Sequence, residues 1–491
     1  MSEGTVDHAI LAEEFHSAGL KALEANDPAS ALALFEKALA LDPHNSAYWN
    51  NQGNAQTALG NHTSAVENYL VAIALEKTPP YLVFYNLASA YYKLGQWHLA
   101  MAQFDAAVLC EPQRYEAYFG RGLVWEELSE PSLAIQSYAD ALERNPLFAQ
   151  AFNNMGIAFQ NLGVESAALE CFDSALALEP ASGDFRTNKG LLCLQYGQWE
   201  KGWQYFESRW QTKAMQKVAR HFDFPLWLGK EPLNGKTLLV HCEQGMGDTI
   251  QFCRFVPWLL ALGAKVTLAV QAPLHTLVEA NFPTVRVIPG IPTQESFDFH
   301  CPIMSLGLAF AADSSNIPNS VGYLTAPKLA VAQWAAFARA GGLPSIGLVW
   351  SGSVTHSNDA NRSVALADLV KALPAGPRYV SLQKEYRDGD RELALAAGLE
   401  DVSAQLHDFS DTAALCQQCD LIVSVDTSVA HLAGALGVPT LLLLPVNADW
   451  RWLTGRNDSP WYASLQLLRQ ATRADWAGAF AQLRETIETR L

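Results

Sequence analysis

Basic side chains are scarce in this sequence. Lys and Arg number 33 against 50 Asp and Glu, a formal net charge of −17 over 491 residues. That balance argues against nucleic acid or an anionic membrane as the main partner, because both attract basic surfaces. A phosphate-bearing ligand then needs a locally basic pocket within an acidic protein. Long apolar runs are missing as well, and none approaches the roughly 20 residues that span a bilayer. The opening Met1-Ser2-Glu3-Gly4 has neither the basic nor the apolar region of a secretory leader, so a cytoplasmic location is expected. The eight cysteines are scattered among apolar residues, as suits a reducing compartment. Cys416 and Cys419 form a CxxC, but a four-ligand zinc site needs a second pair and the sequence offers none.

What is present, before anything else, is a period of 34 residues over roughly the first 210. Small residues recur at Gly19, Gly53, Ala88, Gly122, Gly156 and Gly190. Alanines at 31, 65, 100, 134 and 168 are each followed four residues on by an aromatic: Phe35, Tyr69, Phe104, Tyr138 and Phe172. Pro43, Pro79, Pro112, Pro146 and Pro180 close the units. Small residues let two antiparallel helices approach, aromatics fill the space between them, and proline ends each pair. The pattern resembles the tetratricopeptide repeat, in about five full units and a sixth partial one, which implies an all-α superhelix with a concave face.

A second register runs inside the first. The sixth position of successive units reads Asn51, Asn86, Gly120, Asn154 and Asn188. An asparagine amide both donates and accepts, so a row of them suits the backbone of an extended peptide. The row resembles the asparagine ladder of the O-linked N-acetylglucosamine transferase superhelix, interrupted at Gly120, and implies a protein or peptide acceptor in the groove. The competing reading is polar decoration on a scaffold. Residues 197–210, rich in aromatics at helical spacing, predict a last amphipathic helix, and 211–235 reads as a linker.

From Lys236 short apolar strands alternate with helices, the sign of parallel sheets. Strands are expected at 237–242, 266–270, 285–288 and 297–301, then at 346–350, 379–382, 421–425 and 440–444. This divides into two Rossmann-like halves, 236–340 on the acceptor side and 341–491 on the nucleotide-sugar side. The run Leu421–Val425 reads as a strand buried on both faces. It breaks at Asp426-Thr427-Ser428 and resumes as a helix through Leu432 and Leu436 until Gly437-Val438-Pro439. A strand running into a helix start at the edge of a parallel sheet favours phosphate. The plain alternative is that Thr427 or Ser428 caps a helix and His431 is a packed residue.

Taken with Gly247-Asp248 after the first strand, the Asp426-Thr427-Ser428-Val429-Ala430-His431-Leu432 motif resembles the heptosyltransferase-like glycosyltransferases over about residues 236–490. The tail pieces Asp449-Trp450-Arg451-Trp452 and Ser459-Pro460-Trp461-Tyr462 are similar to the subgroup fused to tetratricopeptide arrays. The resemblance implies a GT-B fold, two Rossmann-like domains with a cleft between them. It implies an inverting transferase that takes a nucleotide-sugar as substrate, and with a helix terminus and arginine available for the diphosphate no cofactor or metal is expected. The acceptor expected is a protein in the repeat groove, such as flagellin or another bacterial surface protein. Alternatives are a cell-envelope glycan transferase and a non-catalytic sugar-nucleotide-binding adaptor. Where heptosyltransferases place a lysine for the donor phosphates, this chain has Arg362.

Transfer from such a donor needs an activated acceptor oxygen and a stabilised leaving group. The donor residues expected are Arg362, Gln383, Lys384, Asp426, Thr427, Ser428 and His431. Asp248 is the expected base, with His241 as runner-up, and Gly245 and Gly247 permit close approach of the acceptor. Against this, Asp248-Thr249-Ile250-Gln251 reads as a capping box opening a helix. Asp388-Gly389-Asp390 mimics a metal-binding DxD but lies at a helix start, where acidic capping is expected.

Overall fold

The computed structural model describes residues 3–292, 295–318, 321–338, 342–355 and 358–491. Met1 and Ser2, and the boundary expected between residues 340 and 341, lie outside them. The chain forms two compact units, Met1–Phe185 and Arg186–Leu491. The division falls at the eleventh helix, whereas the sequence pattern carries the repeats on to residue 210.

The first unit is a run of helix pairs. These are α1 (Glu3–Glu24) with α2 (Pro28–Leu41), α3 (Ser46–Ala58) with α4 (His62–Leu75), and α5 (Tyr81–Lys93) with α6 (Trp97–Cys110). Then come α7 (Tyr115–Glu127) with α8 (Pro131–Arg144) and α9 (Ala149–Asn161) with α10 (Glu165–Leu178). The repeat signature is a packing rule. A Cβ at Gly19 would stand 2.5 Å from the Phe35 ring, and one at Gly53 the same distance from Tyr69. The first helix of a pair therefore rests its glycine on the aromatic of the second. Ala31, Ala65, Ala100, Ala134 and Ala168 are fully buried, as close helix approach requires. Gly120 breaks the asparagine row for the same reason, since its face is filled by Phe104 of α6.

Acidic excess is a property of this unit. Residues 1–185 hold 23 Asp and Glu against 7 Lys and Arg, while residues 186–491 hold 27 against 26. The α/β unit is close to neutral, so a locally basic pocket there faces little opposing field.

From Arg186, within α11 (Gly183–Gln195), the second unit runs on through α12 (Trp199–Phe206), a 3-10 turn (Glu207–Gln211) and α13 (Lys213–Gln216). The amphipathic α12 buries Trp199, Trp203 and Phe206. The Trp203 ring meets Phe252 and Trp450 edge-on, and its indole donates to the Ala312 carbonyl at 2.7 Å. Trp199 meets Trp461. One helix thus packs on both halves of the α/β region, for the reason its aromatic spacing predicted.

Those halves are two parallel sheets. The first, in the order β3-β2-β1-β4, consists of β1 (Thr237–His241), β2 (Lys265–Val270), β3 (Arg286–Pro289) and β4 (Phe299–Pro302). The second has the order β10-β9-β8-β5-β6-β7. Its strands are β5 (Ser345–Val349), β6 (Arg378–Ser381), β7 (Glu400–Asp401), β8 (Leu421–Val425), β9 (Thr440–Leu444) and β10 (Leu465–Arg469). Residues of β8 and β9 are buried along their whole length, as their largely apolar composition requires, with Ser424 and Thr440 the polar members. The sequence pattern missed β7, two residues long, and β10, where Gln466 and Arg469 interrupt the apolar run. In each sheet the strand order reverses direction beside the first strand, at β1 next to β4 and at β5 next to β8. Open α/β sheets bind ligands in the crevice at such points. Among the described residues no helix is long and apolar enough to cross a membrane.

Candidate functional site

The chain leaves β1 at its carboxyl end and enters α14 (Met246–Phe252). That helix begins two residues before Asp248, so Asp248 stands at its third position rather than at its cap. Its Oδ2 accepts the Gly245 N–H at 2.7 Å, and its Oδ1 accepts from Arg451 Nη2. Gln251, expected to close a capping box, instead accepts from Arg451 Nε at 2.7 Å. Arg451 Nη1 donates to Asp449 at 2.8 Å. One buried guanidinium thus ties the first half to the second through two side chains, Asp248 and Gln251, while Asp449 holds it from its own half. Burial pushes the Asp248 carboxyl above its ordinary value, with Arg451 pulling it back. A carboxylate more basic than a free one suits proton abstraction.

Facing it, the chain leaves β8 at Asp426 and enters the helix Ser428–Leu436. Arg362 Nη1 donates to the Asp426 carbonyl at 3.1 Å, so Arg362, Asp426, Thr427 and Ser428 come together at the carboxyl ends of β5 and β8. The Thr427 side chain makes no capping hydrogen bond to the helix it precedes. Burial and the nearby Asp449 push the Asp426 carboxyl up to about 6.

The remaining donor-side residues are placed differently. Gln383 is buried and holds two loops together, accepting from the Ser351 N–H at 3.3 Å and donating to the Ser351 and Glu385 carbonyls. Lys384 is exposed and donates to the His407 carbonyl at 3.0 Å. His431 is 5% exposed, hydrogen-bonded through Nδ1 to the Tyr462 hydroxyl at 2.8 Å and stacked on Trp452. Burial holds it well below its ordinary pKa, which keeps the ring neutral. It occupies the space that Gly247 leaves, since a Cβ at 247 would lie 2.8 Å from His431 Cδ2. The room made by Gly247 is filled from within the protein, where α14 crosses the helix Ser428–Leu436. A Cβ at Gly245 would meet only the Asp248 carboxylate, at 3.2 Å.

His241, at the end of β1, packs tilted against Phe222, stacks with His300 and meets it at 3.3 Å, and burial drives its pKa down to about 3. Asp390 of the DxD accepts the Trp350 indole N–H at 2.7 Å. Cys416 and Cys419 are buried, and burial pushes the Cys419 thiol up to about 12.

The asparagines of the first unit bond to one another. Asn86 Nδ2 donates to Asn50 and Asn54 at 3.2 and 3.0 Å, which links α5 to α3. Asn51 accepts from Asn50 and Asn54 and contacts His16 Nε2 at 2.8 Å. Asn154 is buried and accepts from Gln150 and Asn153. Asn188 lies on α11, in the second unit.

Two guanidinium centres escaped the sequence analysis as functional candidates. Arg451 is one, although its motif carried the family resemblance. The other is Arg209, whose side chain is 2% exposed. Its Nε and Nη2 take both oxygens of Glu243 at 2.7 and 3.0 Å, and Nη1 takes Glu207 at 2.9 Å. Nη2 also donates to Ser305, and Nη1 to the Phe206 carbonyl. A spacing rule finds neither, because Glu243 lies 34 residues from Arg209 and Asp248 lies 203 from Arg451.

The tetratricopeptide-repeat family model matches residues 17–80 and 85–149, and the glycosyltransferase family 9 (heptosyltransferase) model matches residues 383–452. The second match takes in Asp426, Thr427, Ser428, His431 and Arg451 but stops short of Arg362 and Asp248. Protein FlbA of Caulobacter vibrioides (strain ATCC 19089 / CIP 103742 / CB 15) is 29% identical over 309 residues, 57% of this chain and 50% of its own. The small glutamine-rich tetratricopeptide repeat-containing protein 2 of Mycosarcoma maydis is 27% identical over 119 residues, 24% of this chain and 33% of its own. The chain thus spans half or less of the length of these curated relatives. A crystal structure of MamA is 25% identical, with 33% of this chain and 94% of that one covered and a TM-score of 0.32. The chain therefore carries tetratricopeptide repeats in its N-terminal region and a heptosyltransferase-like glycosyltransferase segment in its C-terminal region.

Proposed function

We propose that this chain is an inverting glycosyltransferase of GT-B architecture that moves a sugar from a nucleotide-sugar to a protein, with the repeat array gripping the acceptor. The observation that carries the reading is the pairing of two sheet-edge sites. Asp248 stands after β1 and the Asp426–Ser428 turn after β8, and Arg451 spans the two halves by bonding Asp248. Asp248 accepts the proton of the acceptor hydroxyl, and that oxygen attacks the anomeric carbon of the donor. The bond from that carbon to the phosphate oxygen breaks, and its electron pair leaves with the nucleoside phosphate. Each Asp248 oxygen has one structural partner, which leaves lone pairs for the proton. A single base and a direct displacement invert the anomeric centre.

The departing negative charge meets the first N–H groups of the helix Ser428–Leu436 and the guanidinium of Arg362. These stand where other transferases use a divalent cation, so transfer is metal-independent. In the first unit, the mutual bonds of Asn50, Asn54 and Asn86 hold a row of amides in fixed orientation along the first helices of the pairs. Preorganised amides bind a peptide backbone at smaller entropic cost.

The test is intact-mass analysis of bacterial surface proteins, flagellin among them, incubated with the full chain and a panel of nucleotide-sugars, with and without chelator. A mass increment of one glycosyl unit that survives chelation is expected. Loss on chelation and recovery with manganese would overturn metal independence. An increment on envelope glycan and on none of the proteins would overturn the acceptor class.

A further inference from the structure

Beside the Asp248–Arg451 pair lies a cleft of about 250 Å³, walled by α11, α13, the loop after β1 and the Asp449–Arg451 segment. Thr187 and Leu191 of α11, Met215 of α13, Gln244, Met304 and Trp450 line it. We propose that this cleft is the subsite for the acceptor residue and its neighbours, and that it takes an uncharged, hydroxyl-bearing peptide segment. The inference rests on the transferase reading above and adds where the acceptor sits and which chemistry it must have.

Charge is the first argument. Two cations border the cleft, Arg209 and Arg451, and both are already neutralised. Arg209 makes five hydrogen bonds with its five N–H groups, three of them to Glu207 and Glu243. Arg451 is held between Asp248 and Asp449. Four carboxylates against the two guanidiniums that line it leave these groups net negative, which disfavours the donor's phosphates here. An acidic acceptor segment is repelled for the same reason.

Size is the second. Pockets for drug-sized ligands run from about 300 to 1,000 Å³, so this cleft is too small for a whole nucleotide-sugar. A few side chains fit. The lining is the third. Leu191, Met215, Met304 and Trp450 offer apolar contact, while Thr187 and Gln244 offer hydroxyl and amide groups, a mixture that suits a peptide with small polar residues. Position is the fourth. Arg451 lines the cleft and bonds Asp248, which puts the proposed base at its edge. Asn188, the last of the asparagine row, lies between Thr187 and Leu191 on the same helix.

Met215 is half-buried on the surface helix α13, so it can be changed without opening the core. In the full chain bearing Met215→Cys, thiol labelling at residue 215 is followed by peptide mapping, because Cys110 is also exposed. The probes are a Ser/Thr-centred peptide pool free of Asp, Glu, Lys and Arg, the same pool with Asp and Glu flanks, and free UDP, GDP and CMP. Labelling should slow roughly sixfold when the uncharged pool stands at about five times its dissociation constant. The acidic pool and the nucleotides should leave it unchanged. Protection by a nucleotide makes the cleft part of the donor site and overturns the proposal, as does equal labelling under every condition.

This assay needs no turnover, so it stands apart from a failure of the transferase reading itself. Where an acceptor is in hand, Met215→Trp, which fills the cleft, should raise the acceptor KM about tenfold while the donor KM moves less than about twofold. A rise in donor KM alone overturns the assignment.

Discussion

Asp248→Asn separates a chemical role from a structural one. The carboxylate has two partners, the Gly245 N–H at 2.7 Å and Arg451 Nη2. Asparagine keeps an oxygen for the Gly245 N–H, so the helix start survives. What it gives up is the charge facing Arg451, a charge-assisted hydrogen bond of about 1.5–3 kcal/mol. The cost stays below the roughly 3–5 kcal/mol of a buried charge left without a partner. Arg451 retains Asp449 at 2.8 Å and Gln251 at 2.7 Å. A stability loss of about 2 kcal/mol is therefore expected in urea titration. If Asp248 is the base, the transfer rate at saturating acceptor and donor falls by about 10²–10⁴-fold.

Arg451→Gln is the control, since it breaks the same bond from the other side and also frees Asp449. Its stability loss should equal or exceed that of Asp248→Asn, yet its rate should fall far less. Removing the cation lifts the Asp248 pKa further, so the acid limb of its rate profile should move to higher pH. An Arg451→Gln variant as slow as Asp248→Asn, or an Asp248→Asn rate within tenfold of the parent, would reduce Asp248 to a helix cap and an ion-pair partner.

Three further outcomes follow from the same geometry. Gly247→Ala drives a methyl toward His431 and should cost about 1–3 kcal/mol. His431→Ala in the same chain should recover part of that, and additive losses in a double-mutant cycle would show that the two do not touch. Asp426, with its folded pKa near 6 against 3.8 unfolded, contributes stability that is complete below pH 3.8 and lost as pH rises through 6. Asp426→Asn should therefore be the more stable chain at pH 7.5, by up to about 3 kcal/mol, with the gap closing near pH 4. A gap independent of pH in urea titrations would refute the burial argument. Arg362→Ala should weaken nucleotide-sugar binding by about 1.5–3 kcal/mol in calorimetry, and unchanged affinity would move the donor phosphates elsewhere.

The sequence by itself determined most of the elements and their order, though not the two-residue β7 or the polar-interrupted β10. A 34-residue period is a packing rule repeated, glycine against aromatic, and it is legible because each repeat buries its own pair of helices. The short, mostly apolar run Leu421–Val425 read as an interior strand, and the break at Asp426 marked the sheet edge where Arg362 now meets it. Asp248 was legible as a residue facing that edge because it follows the first strand, and Trp199 and Trp203 as a docking face because of their spacing.

Tertiary structure decided what those residues touch. Gly247 looked like room for a ligand, but His431, 184 positions later, fills it. Asp248 looked like a helix cap or a free base, and it is also the partner of Arg451, 203 positions away. Local spacing governs contacts along one helix or strand, where neighbours are fixed by 3.6 or 2 residues per repeat. Contacts across a sheet edge depend on which strands lie side by side and how two halves close on each other. No periodicity in the chain encodes that, so Arg451, Arg209 and the cleft between them emerge only in the folded molecule.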